Sequence, residues 1–95
     1  MSFAVIRHKV QDVDAWKSYL HRNKEMLRNA GVKSFQVLSA ETDKNDIMLV
    51  MQFVNMESAK NYLNSSESEE AMREAGVLEE PFLHFMNFVE EGKIQ

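Results

Sequence analysis

The most constraining feature of this sequence is the run IMLVMQFV at residues 47–54, which contains a single polar side chain. The run is far shorter than the roughly 20 apolar residues that a membrane-spanning helix needs, and its length is typical of a strand. Successive side chains of a strand point to opposite faces of its sheet. A nearly continuous apolar run therefore predicts a central strand whose two faces are both covered.

The segment before this strand predicts a strand followed by a helix. Residues 3–10 alternate between two faces, and Asp12 is a good helix N-cap. From Val13 the hydrophobic period becomes helical, and Gly31 supplies a left-handed C-cap. The predicted helix therefore fills the interval between these two caps. The residues on its sheet-facing side are Val13, Trp16, Leu20, Asn23, Leu27 and Ala30.

Two further strands flank the central one along the chain. Residues 32–39 (VKSFQVLS) predict the second strand, and the polar stretch ETDKND at residues 41–46 predicts the turn into the third. Pro81 lacks an amide hydrogen and belongs at the start of an edge strand. We therefore predict an edge strand at residues 82–89.

Capping residues predict two short helices between the third and fourth strands. Asn55 is placed to cap a helix over residues 57–63. Ser66 and Glu69 have capping-box spacing for a second helix, which Gly76 closes.

The resulting order, β-α-β-β-α-β, predicts a single α+β domain over residues 1–95. Right-handed crossovers give a ferredoxin-like antiparallel sheet in strand order 4-1-3-2, with the helices on one face. The third and fourth strands are apolar on both sides, so the face without helices is an exposed apolar surface. We expect two copies to pack sheet to sheet in a two-fold homodimer, through the face that carries Phe3 and Val5.

Charge and composition narrow the functional classes. The net charge of −4 conceals a basic first half and an acidic second half, and an acidic total argues against nucleic acid as the partner. Cysteine is absent, which excludes disulfides, thiolate nucleophiles and cysteine zinc sites and suits a cytoplasmic location. The start MSFAVIRHKV lacks the features of a signal peptide, and we expect no membrane association.

His8 is the leading candidate for a catalytic residue. The other residues on its side of the first strand are apolar (Ala4, Ile6 and Val10), so we expect it to face the helices. A histidine poised near neutral pH can act as a general base or acid. The alternative is a histidine at the edge of the core, satisfied by a backbone carbonyl.

Trp16 and Asn23 are candidate pocket residues because both lie on the predicted sheet-facing side of the first helix. Trp16 has core packing as its alternative role. An unpaired buried amide costs about 1–3 kcal/mol, so Asn23 either bonds local backbone or borders a polar cavity.

His84 joins the candidate pocket if the fourth strand places it opposite His8. The alternative is an isolated histidine at the end of the sheet. Two histidines alone make a poor metal site, and we therefore expect neither a metal nor a cofactor.

Two motifs resemble the dimeric α+β barrel superfamily: His8-x-Val10-x-Asp12-x-x-x-Trp16-Lys17, and Ala71-Met72-x-x-Ala75-Gly76-Val77 followed by Pro81. This superfamily includes antibiotic-biosynthesis-monooxygenase-like proteins and small cyclase-like relatives. The resemblance implies the ferredoxin-like fold and dimerisation through the sheets. Members of the superfamily include cofactor-free monooxygenases, polyketide cyclases, lactone isomerases, haem enzymes and proteins without known activity. No haem-ligand motif is present here.

These observations leave three functional hypotheses. The first is an enzyme of the monooxygenase, cyclase or isomerase type, in which His8 moves a proton of a planar, ionisable organic molecule. The second is a non-enzymatic dimer that binds a small ligand or is associated with stress, and the third is an interaction module. A cavity of roughly 300 Å³ or more beside His8 favours the enzyme, whereas tight packing favours the other two.

Overall fold

The computed structural model describes residues 1–95 and contains one four-stranded antiparallel sheet with four helical segments on one face. No helix combines the length and the apolar character that a membrane crossing requires. The elements are β1 (Ser2–Lys9), α1 (Val13–Arg22), α2 (Lys24–Asn29), β2 (Val32–Ala40), β3 (Asp43–Phe53), α3 (Met56–Leu63), α4 (Ser66–Glu74) and β4 (Phe82–Asn87).

The strand order is β2-β3-β1-β4, which is the predicted order and confirms the ferredoxin-like α+β fold. All three neighbouring pairs are antiparallel. β4 is an edge strand that begins directly after Pro81, as the missing amide hydrogen of proline predicted.

The central strand β3 is apolar on both faces because the two faces meet different surroundings. Alternate side chains of β3 are buried beneath the helices: Ile47, Leu49, Met51 and Phe53. The side chains between them, including Met48 and Val50, are only half-buried and point to the face without helices. The predicted division of this strand into two apolar rows is therefore confirmed.

The region predicted as one helix is interrupted at Asn23. This residue is the C-cap of α1 and the N-cap of α2. Asn23 has φ −104° and ψ 19°, and its Nδ2 donates to the Tyr19 carbonyl at 2.8 Å. An asparagine side chain that competes for the carbonyl four residues earlier weakens the regular helical pattern. The prediction of one continuous helix was wrong at this residue.

The turn between β2 and β3 is shorter than predicted. β3 begins at Asp43, which pairs with Ala40, so part of the polar stretch at residues 41–46 belongs to the strand. The side chains at residues 41–44 are exposed at the end of the hairpin, so polar residues there remain hydrated when the backbone forms a strand. Composition therefore gave the wrong boundary. A register shift between Ser39 and Ala40 accompanies the turn.

The predicted caps at Asp12, Asn55 and Gly31 form. Asp12 Oδ1 accepts from the Asp14 and Ala15 backbone N–H groups at 2.9 and 3.4 Å, and Asn55 Oδ1 accepts from the Ser58 N–H at 2.8 Å. Gly31 adopts φ 99° at the end of α2, which is the left-handed conformation predicted for a C-cap.

The start of α4 differs from the prediction by one residue, whereas its end agrees with it. Ser65 is the N-cap, and its Oγ accepts from the Ser68 N–H at 3.2 Å. Ser66 lies inside the first turn, so the predicted Ser66–Glu69 capping box is wrong. Gly76, with φ 85°, follows the helix as expected.

The face of the sheet opposite the helices is uncovered in a single chain. We call it the bare face. Several large apolar side chains on or beside it are exposed, including Phe82 at 73% and Met86 at 52%. The others are Leu38 and Phe88.

Candidate functional site

A cavity lies between the covered face of the sheet and the helices. Its floor is formed by Ile6 and His8 of β1 with Leu49 and Met51 of β3. The volume of the cavity is about 60 Å³. The helices supply the remaining walls: Trp16, Tyr19, Leu20, Asn23, Met26, Leu27, Tyr62, Leu63, Ser68, Ala71, Met72 and Ala75.

The mouth of the cavity lies between the two halves of the helical layer. The floor residues are buried, whereas wall residues from α1 and α2 (Tyr19, Asn23 and Met26) and from α4 (Met72 and Ala75) are partly exposed. A ligand would therefore enter between the first and the last helical segments and meet β1 at the bottom.

His8 lies in the floor with both ring nitrogens unsatisfied. The strand alternation directs it towards the helices, and its side chain is only 5% exposed. Neither Nδ1 nor Nε2 has a hydrogen-bond partner. Burial lowers the pKa of His8 from its ordinary value of 6.5, so the neutral imidazole is favoured. The alternative of a structural histidine satisfied by a backbone carbonyl is therefore not what the structure contains.

Trp16 packs directly on His8 from above. The two ring centroids are 5.9 Å apart and the planes meet at 69°, an edge-to-face contact. The cap at Asp12 starts α1 immediately after β1, and the Asn45 side chain anchors this start by accepting from the Val13 N–H at 2.9 Å. Trp16 is 4% exposed, so it contributes to the core as well as to the cavity wall.

Asn23 combines the two roles that the sequence left open. Its Nδ2 bonds the Tyr19 carbonyl, and its side chain also borders the cavity. Its half-buried position is at the interruption between α1 and α2, so the same residue shapes the helix break and the cavity mouth.

Ser68 is a further polar residue of the cavity that the sequence analysis did not identify. It is 1% exposed, and its Oγ has no hydrogen-bond partner. The missed signal is periodic: Ser68, Ala71, Met72 and Ala75 have the i, i+3, i+4, i+7 spacing of one helix face, and all four line the cavity. This spacing marks Ser68 as inward-facing.

Two tyrosines complete the polar groups near the mouth. The Tyr19 hydroxyl donates to Glu74 Oε2 at 2.8 Å, which joins α1 to α4 across the opening. Burial, followed by the contact with Glu74, raises the pKa of Tyr19. Burial also raises the pKa of Tyr62 on α3, so both phenols remain protonated at neutral pH.

His84 does not belong to this cavity. In the β1–β4 register His84 is opposite Val5, and its exposed side chain lies on the bare face. His8 is three residues after Val5 in β1, so its side chain points to the opposite face, towards the helices. The condition under which His84 would join the candidate pocket, a position opposite His8, is therefore not met in the register of β1 and β4.

No protein-family model matches this chain, and no curated protein matches it in sequence. Solved structures do match its fold. SnoaB, a cofactor-independent oxygenase from Streptomyces nogalater, has a TM-score of 0.73 at 11% identity, with 95% of this chain and 94% of that chain covered. A Bordetella bronchiseptica protein, provisionally named an antibiotic biosynthesis monooxygenase, has a TM-score of 0.73 at 14% identity, covering 94% and 98%.

A Deinococcus radiodurans protein with the same provisional name has a TM-score of 0.69 at 12% identity, with 100% of this chain and 99% of that chain covered. These three matches cover both chains almost completely. Identities this low establish the fold and leave the reaction open. The chain therefore has the same fold as these three proteins, which is the ferredoxin-like α+β fold that the sequence predicted.

Proposed function

We propose that the cavity binds a planar, ionisable organic molecule and that His8 accepts a proton from it. The observation that carries this proposal is the unpartnered imidazole of His8 in the cavity floor. A buried polar group without a partner is destabilising, so a native structure that contains one calls for an explanation. A ligand hydrogen-bonded to the imidazole supplies one.

The environment of His8 favours the form that a base requires. Burial lowers its pKa, so the ring is neutral at physiological pH and one nitrogen has a free lone pair. No carboxylate contacts the ring to hold it in one orientation. Its position is set instead by Trp16 and the strand.

The proton would come from a phenolic hydroxyl or from a carbon next to a carbonyl. Transfer to His8 produces an imidazolium and an electron-rich anion in the same low-dielectric cavity. Oxygenation by molecular oxygen, cyclisation and isomerisation can all begin from such an anion. The description of SnoaB as a cofactor-independent oxygenase is consistent with this class of chemistry.

A second candidate function is ligand binding without chemistry. The accessible volume of about 60 Å³ is well below the roughly 300 Å³ of a typical ligand pocket. This small volume favours a non-enzymatic ligand-binding or stress-associated protein over an enzyme for a large substrate. The flexible side chains of Met26 and Met72 in the walls could adjust to a single-ring ligand.

Binding can be followed through Trp16, the only tryptophan in the chain. Its indole N–H gives a single cross-peak in a ¹H–¹⁵N spectrum, and Trp16 contacts His8. We expect phenolic and quinonoid compounds to shift this peak and to raise the melting temperature. His8→Ala should remove the binding of these compounds while leaving the fold intact.

His8→Phe is the matched control for His8→Ala because it fills the same space without a polar atom. It should also abolish binding, and it should raise the melting temperature by replacing an unsatisfied buried group with an apolar one. Ligand binding that survives both substitutions would show that His8 is structural.

We also propose that the protein forms a two-fold homodimer through the bare face. The support is the exposed apolar surface centred on Val5 and Val50, which pair with each other across β1 and β3. At one end this face is bounded by an ion pair, in which Arg7 donates to both oxygens of Asp46 at 3.2 and 3.0 Å. A hydrophobic centre with a charged rim is the usual anatomy of a protein interface.

The assembly state can be measured directly by sedimentation or light scattering at micromolar concentration. We expect twice the mass of the chain, or 22 kDa from a chain mass of 11.0 kDa. A mass of one chain under these conditions would contradict the dimer and leave the ligand proposal unaffected.

A further inference from the structure

The buried side-chain nitrogen and oxygen atoms that lack hydrogen-bond partners are concentrated at one place. They are His8 Nδ1, His8 Nε2 and Ser68 Oγ, and both residues line the same cavity. His8 lies on a strand and Ser68 on a helix 60 positions later in the chain. Unsatisfied buried groups are rare in native structures, so their convergence on one space indicates a molecule that bonds both.

Local hydrogen bonding does not account for Ser68. A serine inside a helix commonly bonds a backbone carbonyl of the preceding turn or points to solvent. Ser68 Oγ does neither, since it has no partner and its residue is 1% exposed. Only the backbone N–H of Ser68 takes part in capping, through Ser65 Oγ. The hydroxyl is therefore free to bond a molecule in the cavity.

The cavity wall also limits the charge of such a molecule. None of its lining residues is Asp, Glu, Lys or Arg, and most of them are apolar. A charged ligand would lose its hydration there without gaining a counter-charge. The small volume further limits the ligand to about one ring.

From these observations we propose that Ser68 is a specificity-determining residue that selects single-ring, uncharged ligands with two separate hydrogen-bonding oxygens. One oxygen bonds His8 and the other bonds Ser68 Oγ. Dihydroxybenzenes are the simplest members of this class. This inference rests on the proposed function, because it requires that the cavity binds a ligand at His8.

The test measures the affinity of a series of related phenols for the unmodified chain and for two serine variants near pH 7.5. The probes are phenol, the three dihydroxybenzenes and 4-hydroxybenzoate, and binding is read from the Trp16 indole cross-peak. The variants are the unmodified chain, Ser68→Ala and Ser66→Ala. Ser66 lies on the same helix and is exposed, so its substitution controls for changes in α4 itself.

We expect the best dihydroxybenzene to bind the unmodified chain more tightly than phenol, and 4-hydroxybenzoate to bind more weakly than phenol. Ser68→Ala should weaken the best dihydroxybenzene about fivefold, the value of one ordinary hydrogen bond, and leave phenol unchanged. Ser66→Ala should leave every affinity unchanged. Because Ser68 Oγ makes no bond in the protein, Ser68→Ala should not lower the melting temperature.

Three outcomes would overturn the assignment of Ser68, and they separate it from the proposed function. Equal losses for phenol and the dihydroxybenzene in Ser68→Ala would show a general structural effect. His8-dependent binding of phenol with no effect of Ser68→Ala on any probe would leave the proposed function standing and reject Ser68. Binding of 4-hydroxybenzoate as tight as that of phenol would reject the uncharged ligand class.

If no probe binds the unmodified chain, the proposed function fails and the assignment of Ser68 fails with it.

Discussion

The two faces of the sheet are built from similar apolar residues but have different surroundings. On the helix side, Leu49 and its neighbours are buried under the helices, and the histidine of that face is buried as well. On the bare face, Val50 is half-buried, and Phe82 and His84 are exposed. Because both faces are apolar, the sequence of the strands alone does not determine which face contains a ligand cavity. The helices make the difference by burying His8 between themselves and the sheet.

The largest effect should come from placing a charge on each face of β3 in turn. Leu49→Asp puts a carboxylate beneath the helices, where an unpaired charge costs on the order of 3–5 kcal/mol, a large fraction of a small domain's stability. Val50→Asp places the same charge on the bare face. We expect Leu49→Asp to abolish cooperative unfolding, as measured by circular dichroism in urea.

For Val50→Asp we expect loss of the dimer, with either a folded monomer or unfolding of a chain that depends on its partner. Val50→Thr, which keeps the shape of the side chain, serves as the milder control. A Val50→Asp protein that sediments as a folded dimer would reject the bare face as the interface. A Leu49→Asp protein that unfolds like the unmodified chain would contradict the assignment of the two faces.

The stability of the helices on the covered face also depends on how they end. Substitution of the two glycines with positive φ, Gly31 and Gly76, should have effects of different size. An alanine Cβ at Gly31 would lie 3.0 Å from Ser58 Cβ and 3.1 Å from Val54 Cγ2. At Gly76 the nearest atom would be Gln11 Cβ at 3.6 Å, an ordinary contact. Both substitutions incur about 1 kcal/mol for the left-handed backbone, and Gly31→Ala adds a steric cost.

Urea unfolding should therefore show a larger loss of unfolding free energy for Gly31→Ala than for Gly76→Ala. Equal losses would mean that the side chains of Val54 and Ser58 move away from Gly31 without cost. No loss in either variant would mean that the two helix ends relax out of the left-handed conformation.

The covered face could largely be predicted from the sequence, because its determinants are local. Strand alternation places His8 towards the helices, and the caps at Asp12 and Gly31 bound the first helical region. Each of these depends on residues that are close together in the chain. The helix break at Asn23 was missed because a single asparagine on an apolar helix face has two equally good interpretations. It can be a buried residue of a continuous helix, or it can be the point at which the helix is interrupted.

Other features could not be predicted in this way. The position of His84 relative to His8 stayed open because the β1–β4 register depends on the segment between α4 and β4, which strand alternation does not determine. Ser68 was missed because Ser65, Ser66 and Ser68 all qualify as helix-capping residues by type. The helical spacing of Ser68 with Ala71, Met72 and Ala75 distinguishes it from the other two, and the structure adds that its hydroxyl has no partner in the protein.

The smallest expected effect is a pH dependence of stability that distinguishes His8 from His84. Burial lowers the pKa of His8 in the folded state, so the unfolded chain binds more protons below the unfolded value of about 6.5. The contribution of His8 to the free energy of unfolding should therefore not change with pH above about pH 6.5. It should fall as the pH drops from there towards the lower pKa of the folded state.

This contribution can be isolated by urea unfolding at several pH values between about 7.5 and 5.5, a range above most carboxylate titrations. His8→Phe should flatten the fall in unfolding free energy, because it removes the group whose protonation opposes folding. His84→Phe, on the bare face, serves as the control, and every variant should be measured at one protein concentration so that any dimer equilibrium is held fixed. A fall that persists in His8→Phe and disappears in His84→Phe would assign the pH sensitivity to the bare face, and would remove the argument that the cavity keeps His8 neutral.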